Sequence, residues 1–246
     1  MMDIARTKLL IVAISRMLAE CRTVAVGNSS PIPGAATLLA RAMSGGAMRV
    51  LMLGSLRHNS FTDGGRELFD CAAQGRIDAF FLSGGQIDGE ANLNLVGAGE
   101  YPRWQQRFPG SFGSAYLYYL IPRVILFREE HTARVLVPKV DFVSAPGTSP
   151  PGVYRQGGPA ALVTGRCVFD FDRTTRRFRL ASLHPGETAE TVRANTGFSY
   201  EAPAGVPDTP PPNEGELALL DGQVAEEIAE TYPRFAAALF GRRSAA

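Results

Sequence analysis

Cysteine and histidine, the residues that most often build disulfide frameworks and metal centres, are scarce in this sequence. The 246 residues include three cysteines and three histidines. Cys21, Cys71 and Cys167 are odd in number, lie far apart and form no C-x-x-C pair. This spacing argues against a disulfide framework or a zinc site and favours reduced thiols in a cytoplasmic compartment. With so few histidines, we expect no metal site at all.

The sequence also has little excess charge and no long apolar span. Its 25 basic residues balance 24 acidic ones, which leaves a net charge of +1. Such a balance argues against bulk attraction to nucleic acid or to an anionic membrane. The apolar run at residues 9–14 is followed by Arg16 and Glu20 and is too short to cross a bilayer. We therefore expect a cytoplasmic protein that binds neither nucleic acid nor membrane.

The sequence does contain a repeated succession of apolar strand, glycine turn and helix. Strands are predicted at 21–26, 48–53, 77–82, 124–127, 140–143, 161–164 and 167–171. Helices are predicted at 3–20, 34–43, 66–75, 115–120, 188–196 and 216–240, the last broken at Pro233. This rhythm is typical of βαβ units in an α/β fold with a mostly parallel sheet.

Residues 176–183 alternate apolar and basic side chains, which predicts a small antiparallel hairpin at one edge of the sheet. The chain is 45% hydrophobic and long enough to bury a full core. No strong boundary divides it, so we predict a single domain over residues 1–246.

Two glycine-rich turns are the candidate binding features. Gly84 and Gly85 end the third predicted strand, and Gly110, Ser111 and Gly113 precede the helix predicted at 115–120. In open α/β sheets, ligands bind outside the carboxyl ends of strands, and glycine lets backbone amides approach them closely. Ordinary strand-to-helix turns also favour glycine. Spacing alone leaves both interpretations open.

Five motifs in order along the chain resemble the B subunit of family I CoA-transferases of the glutaconate type. They are Gly84-Gly85-Gln86-Ile87-Asp88 with Asn92 and Asn94, Arg-Phe-Pro-Gly-Ser-Phe-Gly at 107–113, Pro-Lys-Val-Asp-Phe-Val-Ser-Ala-Pro-Gly at 138–147, Leu-His-Pro-Gly at 183–186, and Asn-Thr-Gly-Phe at 195–198. The resemblance implies a three-layer α/β/α sandwich and a homologous A subunit in a heterodimer or heterotetramer. It also implies a coenzyme A thioester as substrate, bound where the subunits meet, and no permanently bound cofactor.

The resemblance supplies the candidate residues for binding the acyl-CoA. They are Asn28, Ser29, Gly54, Ser55, Gly84, Gly85, Gln86, Asn92, Arg107, Gly110, Ser111 and Gly113. The guanidinium of Arg107 suits a carboxylate or a CoA phosphate, and it suits a structural salt bridge equally well. We expect Asp88 to accept backbone hydrogen bonds in its turn, and we expect His58 to be a solvated surface side chain.

One departure from the family pattern bears directly on function. The transferases carry a Glu-x-Gly pattern at the end of the second strand, and this glutamate attacks the thioester and carries CoA. Here the corresponding residues are Met52-Leu53-Gly54, and a thioether offers no anionic oxygen for that role. A smaller departure is Ala91, which stands where the family often has glycine.

Two branches of the family lack the glutamate. In a decarboxylase a cysteine replaces it, and in a hydrolase that opens steroid rings the A subunit supplies a catalytic glutamate. The second branch matches better because no cysteine stands at Met52 and because residues 183–186 match. We therefore expect the B subunit of a hydrolytic or C–C bond-cleaving enzyme. We assign no catalytic residue to this chain and expect Met52 to belong to the core or to a pocket wall.

Other functions stay open. The chain is alternatively a genuine CoA-transferase β subunit that moves CoA between carboxylic acids, or a non-catalytic partner that stabilises the A subunit. A ligand-binding regulator on the same fold is a further alternative, because one fold hosts many chemistries. A serine nucleophile at Ser55 is disfavoured, since no Gly-x-Ser-x-Gly elbow surrounds it.

Overall fold

The structure, a computed structural model, describes residues 2–241 and divides into two compact units. The first unit comprises the residues up to 71, residues 76–80 and the residues from 210 onwards. The second comprises residues 72–75 and 81–209. The single domain over 1–246 stays a prediction.

The elements alternate in the first half of the chain as the sequence pattern predicts. The helices are α1 (Ile4–Met17), α2 (Pro31–Met43), α3 (Gly65–Ala73), α4 (Ser114–Leu120), α5 (Ala189–Asn195), α6 (Glu214–Leu219), α7 (Ala225–Thr231) and α8 (Pro233–Phe240), with a π-helical turn at Leu220–Val224. The strands are β1 (Thr23–Val26), β2 (Arg49–Met52), β3 (Ala79–Leu82), β4 (Gln86–Ile87), β5 (Leu93–Asn94), β6 (Gly97–Glu100), β7 (Arg103–Arg107), β8 (Arg123–Arg128), β9 (Pro159–Thr164), β10 (Cys167–Asp172) and β11 (Arg177–Leu183).

Parallel pairing of short apolar strands forms the centre of the first unit. Strand β1 pairs in parallel with β2 on one side, from Thr23↔Arg49 to Val26↔Met52, and with β3 on the other at Val24↔Ala79. Asp3 caps the start of α1, where its side chain accepts a hydrogen bond from Arg6 N, and α2 begins at Pro31. Both helices are buried over most of their length, which is typical of helices that cover a parallel sheet.

The second unit combines a parallel pair with the predicted edge hairpin. Strands β8 and β9 are parallel, whereas β9–β10 and β10–β11 are antiparallel. The hairpin of β10 and β11 is therefore confirmed. Phe169 on β10 and Phe178 on β11 are buried together with Phe198, and their ring centroids lie 5.4–6.1 Å apart. Together with the parallel strands of the first unit, this arrangement confirms the predicted α/β class with a mostly parallel sheet.

Two segments differ from the prediction, the one between β3 and α4 and the one at residues 138–147 that contacts it. Two small antiparallel hairpins, β4–β5 and β6–β7, form where only turns were predicted. The strand predicted at 140–143 is wrong, because this segment is irregular. The amides of Val140 and Asp141 donate to the side chains of Asp88 and Gln86, at 3.3 and 3.0 Å, and not to a neighbouring strand.

A largely buried group of histidine and threonine side chains lies where β9 and β11 end. The Nδ1 and Nε2 atoms of His131 lie 2.8 and 2.9 Å from the hydroxyls of Thr164 and Thr196. His184 reaches the hydroxyl of Thr209 at 2.8 Å and the carbonyl of Thr164 at 3.0 Å. Burial lowers the pKa of His131 to about 4, so this ring is neutral in the folded protein at neutral pH.

Among the described helices, none is suited to cross a membrane. Within residues 2–241, none of them has both the length and the apolar character that a bilayer span requires.

Because His131 is neutral when folded, the protein is expected to lose stability in mild acid. The unfolded histidine binds a proton near pH 6.5 and the folded one only near pH 4, so unfolding takes up a proton between these values. Stability should fall by about 2 kcal/mol between pH 7 and pH 5 from this group alone. Urea unfolding midpoints measured across this range test the expectation. The variant His131→Gln should show a shallower slope, and an unchanged slope would assign the acid sensitivity elsewhere.

Candidate functional site

The carboxyl end of β2 is apolar and tightly packed. Met52 is fully buried, and its side chain lies against α2 at Gly34, where a Cβ atom would stand 3.2 Å from Cε of Met52. The same Cβ position lies 3.2 Å from Cδ1 of Ile228 on α7. Met52 therefore fills space that a helix side chain would otherwise take. The residue is a core methionine, as expected.

Immediately after β2, a carboxylate from α7 holds the loop in place. Oε2 of Glu230 accepts from the Ser55 hydroxyl, and Oε1 accepts from Leu56 N, both at 2.7 Å. The Ser55 oxygen in turn accepts from the amides of Arg57 and His58. A hydroxyl that donates to a carboxylate and accepts hydrogen bonds from two backbone amides serves to hold its own loop. This supports the argument against a serine nucleophile.

Two pKa effects follow from these contacts and from burial. Partial burial opposes ionisation of Glu230, but hydrogen bonds from Leu56 N and from the hydroxyls of Ser55 and Thr231 hold its pKa below the usual value. Glu230 is therefore a structural carboxylate at neutral pH. Burial raises the pKa of the Cys167 thiol to about 12, so this cysteine is not a ready nucleophile.

The turn after β1 lies beside the turn after β2, because the two strands are parallel neighbours. Oδ1 of Asn28 lies 3.0 Å from the position that a Cβ atom on Gly54 would take. Asn28, Ser29 and Gly54 are exposed, whereas Ser55 is buried. Ser29 and Gly54 both adopt positive φ angles, 56° and 88°. The first unit thus brings four of the candidate residues together at one edge of the sheet.

His58 departs from the expectation of a solvated surface side chain. Its side chain is 14% exposed, and Nε2 lies 2.9 Å from Oε2 of Glu227 on α7, without the alignment of a hydrogen bond. The expectation was wrong because α7, which is far away in sequence, covers this loop.

In the second unit, Gln86 belongs to a buried side-chain network. Its Oε1 accepts from Asn94 Nδ2 at 2.7 Å and from Asp141 N at 3.0 Å, and its Nε2 donates to Asp141 Oδ2 at 3.0 Å. Asp141 also accepts from Gly99 N at 2.7 Å. These bonds join the two small hairpins to the segment at 138–147. Both polar atoms of the Gln86 side-chain amide are therefore used in structural hydrogen bonds.

Asp88 and Asn92 form a second framework of the same kind. Asp88 accepts from the amides of Glu90, Asn92 and Val140 and from Nδ2 of Asn92, at 3.0–3.3 Å. The structural role expected for Asp88 is therefore what the structure shows. Oδ1 of Asn92 accepts from Gly147 N at 3.1 Å, and Asn92 and Asp88 also line a cavity of about 430 Å³. Ala91, between them, adopts a φ of 60°, the left-handed region where glycine is usual.

The glycine turns of the second unit differ in the space beside their glycines. A Cβ on Gly85 would stand 2.4 Å from the ring of Phe108, so the backbone and this ring are in close contact. Gly110 has a φ of 108° with open space beside it, and Gly113 caps α4. Ser111 accepts through its carbonyl from Ser114 N at 2.8 Å. Arg107 is exposed and forms no ion pair in the described part of the chain.

Sequence reasoning missed the two carboxylates that organise the loop after β2. Glu227 and Glu230 come from the predicted C-terminal helix, about 170 residues along the chain, and no local pattern links them to Ser55 or His58. The role of Asp141 had a signal, since it lies inside the motif at 138–147. Among residues 2–241, no group of three or more histidine, cysteine, aspartate or glutamate side chains is placed to hold a metal ion.

Three curated relatives resemble the chain. It is 33% identical over 153 residues to the B subunit of the 3-oxoadipate CoA-transferase of Pseudomonas knackmussii, covering 59% of this chain and 58% of the relative. It is 34% identical over 128 residues to the B subunit of the glutaconate CoA-transferase of Acidaminococcus fermentans, covering 49% and 47%. It is 33% identical over 159 residues to the IpdB subunit of the cholesterol ring-cleaving hydrolase of Rhodococcus jostii, covering 63% and 62%.

The alignments thus span between about half and three fifths of the length of these relatives. The crystal structure of IpdAB from Rhodococcus jostii covers more, since it matches 90% of this chain and 94% of its own with a TM-score of 0.76 and 25% identity. The family model described as Coenzyme A transferase matches residues 8–195. The chain therefore belongs to the coenzyme A transferase family.

Proposed function

We propose that this chain is the B subunit of a heteromeric enzyme that acts on an acyl-CoA thioester by hydrolysis or C–C bond cleavage. The observation that carries the proposal is Met52, which occupies the carboxyl end of β2 where the resemblance places the nucleophilic glutamate. Met52 is buried against α2, so the position is part of the core and not an open pocket with an altered nucleophile.

Covalent CoA transfer needs a carboxylate that first attacks the thioester carbonyl and then carries CoA. The sulfur of methionine cannot form an acyl anhydride, and it has no proton to exchange. Glu230 places a carboxylate beside the loop after β2, but its oxygens are occupied by Ser55, Leu56 and Thr231. In hydrolysis, water takes the place of the acceptor acid at the thioester carbonyl, and CoA leaves as the thiol. In C–C cleavage, water adds to a carbonyl next to the bond that breaks, and the departing carbon takes up a proton. In both cases the partner subunit supplies the acid–base group.

The binding residues retain the roles that the resemblance implies, as proposals. Asn28, Ser29 and Gly54 form an exposed polar edge beside the apolar end of β2, which suits a thioester next to its acyl chain. In the second unit, Gly110 and the guanidinium of Arg107 are exposed and suit the carboxylate or phosphate groups of the substrate. Gln86 and Asn92 hold the segment at 138–147 against the β4–β5 hairpin through their hydrogen bonds. No permanently bound cofactor is proposed.

The proposed partner is a homologous A subunit, in a heterodimer or heterotetramer. The relatives are named as B subunits, and IpdAB names a two-part assembly. The second unit has an exposed aromatic surface around α4, formed by Phe112 (82% exposed), Tyr116 (47%) and Tyr154 (80%). Aromatic side chains at this level of exposure are typical of protein interfaces. We also propose a cytoplasmic location, in keeping with three cysteines that form no disulfide.

A genuine CoA-transferase is the second candidate, because two of the curated relatives carry that name. The two candidates differ in their need for an acceptor. Co-expression with the A subunit, followed by mass spectrometry of CoA thioesters with and without an acceptor acid, separates them. Hydrolysis or C–C cleavage should consume the substrate thioester when no acceptor acid is present. If the substrate thioester is consumed only when an acceptor acid is present, and CoA is found on that acid, the enzyme is a transferase. If there is no turnover with or without the acceptor, the chain is non-catalytic.

Substitution of Met52 is expected to affect activity little when shape is kept. Met52→Leu is nearly equal in volume, and such core exchanges typically cost less than about 1.5 kcal/mol. The co-expressed enzyme should therefore retain most of its kcat/KM.

Met52→Glu is the complementary change. It would bury a carboxylate and raise its pKa. We expect an unstable protein with no gain of transfer to an acceptor acid. Efficient transfer by this variant, measured by appearance of the acceptor thioester, would mean that the strand end is poised for covalent catalysis.

The aromatic surface around α4 is expected to bind the A subunit. The double variant Phe112→Ser/Tyr154→Ser removes two exposed rings, and it should weaken assembly at least about tenfold, since aromatic anchors dominate many interfaces. Sedimentation velocity of the co-purified subunits over a dilution series measures this change. Ile4→Ser, at a side chain 48% exposed on α1, is the matched control and should assemble normally. If both variants assemble equally well, this surface is not part of the interface.

A further inference from the structure

A cavity of about 370 Å³ lies beside β2 in the first unit. We call it the β2 cleft. It is bounded by the end of α2 and the turn after it, by the start of β2, and by the loop that follows β2. Its lining residues are Arg41, Gly46, Ala47, Met48, Arg49, Val50, Arg57, His58, Asn59 and Ser60. The cleft therefore follows the amino half of β2, whereas Met52 lies at the carboxyl end of the same strand.

The β2 cleft gathers positive charge from three separate segments. Arg41 comes from α2, Arg49 from β2, and Arg57 from the loop after β2, with His58 beside it. Among the described residues, no aspartate or glutamate lines the cleft. The positive charges of three arginines that line one small space repel one another, so an arrangement of this kind is favoured when an anion is bound between them.

The neighbouring carboxylates do not neutralise this charge fully. Glu227 is shared, with Oε2 at 2.9 Å from His58 Nε2 and 3.8 Å from Arg41 Nη1. Arg49 donates to the neutral hydroxyl of Ser60 at 3.0 Å. Arg57 helps to lower the pKa of Glu230 but forms no ion pair within residues 2–241. Arg49 and Arg57 therefore retain donors for a ligand.

We propose that the β2 cleft binds a phosphate group of a small molecule. Planar guanidinium groups donate paired hydrogen bonds that match phosphate oxygens, and three of them suit a dianion better than a single carboxylate. The hydroxyl of Ser60 and the amide of Asn59 add neutral hydrogen-bonding groups to the lining. In the part of the chain that the structure describes, no aromatic ring apart from the imidazole of His58 lines the cleft. The phosphate is thus the group recognised, and not a stacked base.

The phosphate belongs either to a free small anion or to a larger molecule that carries it. Isothermal titration of the full chain with pyrophosphate and with adenosine 3′,5′-bisphosphate covers these two sources. Adenosine serves as the uncharged comparison, and potassium chloride keeps ionic strength constant. At least one phosphate ligand should bind saturably with one site per chain, and adenosine should not bind. Saturable binding of neither phosphate ligand would overturn the proposal.

Variants then place the binding in the cleft. Arg49→Met and Arg57→Met combined should weaken binding of the phosphate ligand at least about tenfold, since charge-assisted hydrogen bonds are lost. Arg66→Met removes an arginine whose side chain is 78% exposed and lies outside the cleft, so it should leave the affinity unchanged. Circular dichroism confirms that each variant is folded. Equal affinity for the double variant and for Arg66→Met would contradict a site in the β2 cleft.

Discussion

Close packing between β2 and α2 is the constraint on which the chemistry of this chain depends. The side chain of Met52 fits against α2 at Gly34, where the helix has no side chain. A carboxylate in the same place would be surrounded by apolar atoms and would need a partner to remain ionised. The strand end is therefore built as core, and the polar groups of this edge stand in the turns beside it.

Side-chain hydrogen bonds hold the irregular segments of each unit in place. Gln86 and Asp141 join the two small hairpins to the segment at 138–147, and Asp88 and Asn92 form a second set of such hydrogen bonds. After β2, the Glu230 carboxylate performs the equivalent task for the loop at Ser55. Much of what the family motifs encode in this chain is thus a rigid support for turns. Rigid turns are what a binding site needs, since amides act on a substrate only when they are held in place.

The sequence predicted the regular elements well because local patterns determine them. Apolar runs that end at glycine identified β1, β2 and β3, and the alternation at 176–183 identified the hairpin of β10 and β11. The segment at 140–143 has the composition of a strand, but Asp88 and Gln86 bind its amides, and no local pattern shows such long-range bonds. For the same reason the contacts of Glu227 and Glu230 with the loop after β2 were not predicted. The importance of Met52 was visible only because the resemblance marks its position.

The central claim is that no residue on β2 forms a covalent bond with the substrate. Its most direct test is peptide mass mapping of the assembled enzyme, quenched during turnover with acyl-CoA and an acceptor acid present. The account predicts that the peptide containing residues 48–55 keeps its unmodified mass at every time point. An acyl or CoA adduct on that peptide would contradict it and would establish covalent CoA transfer through this chain.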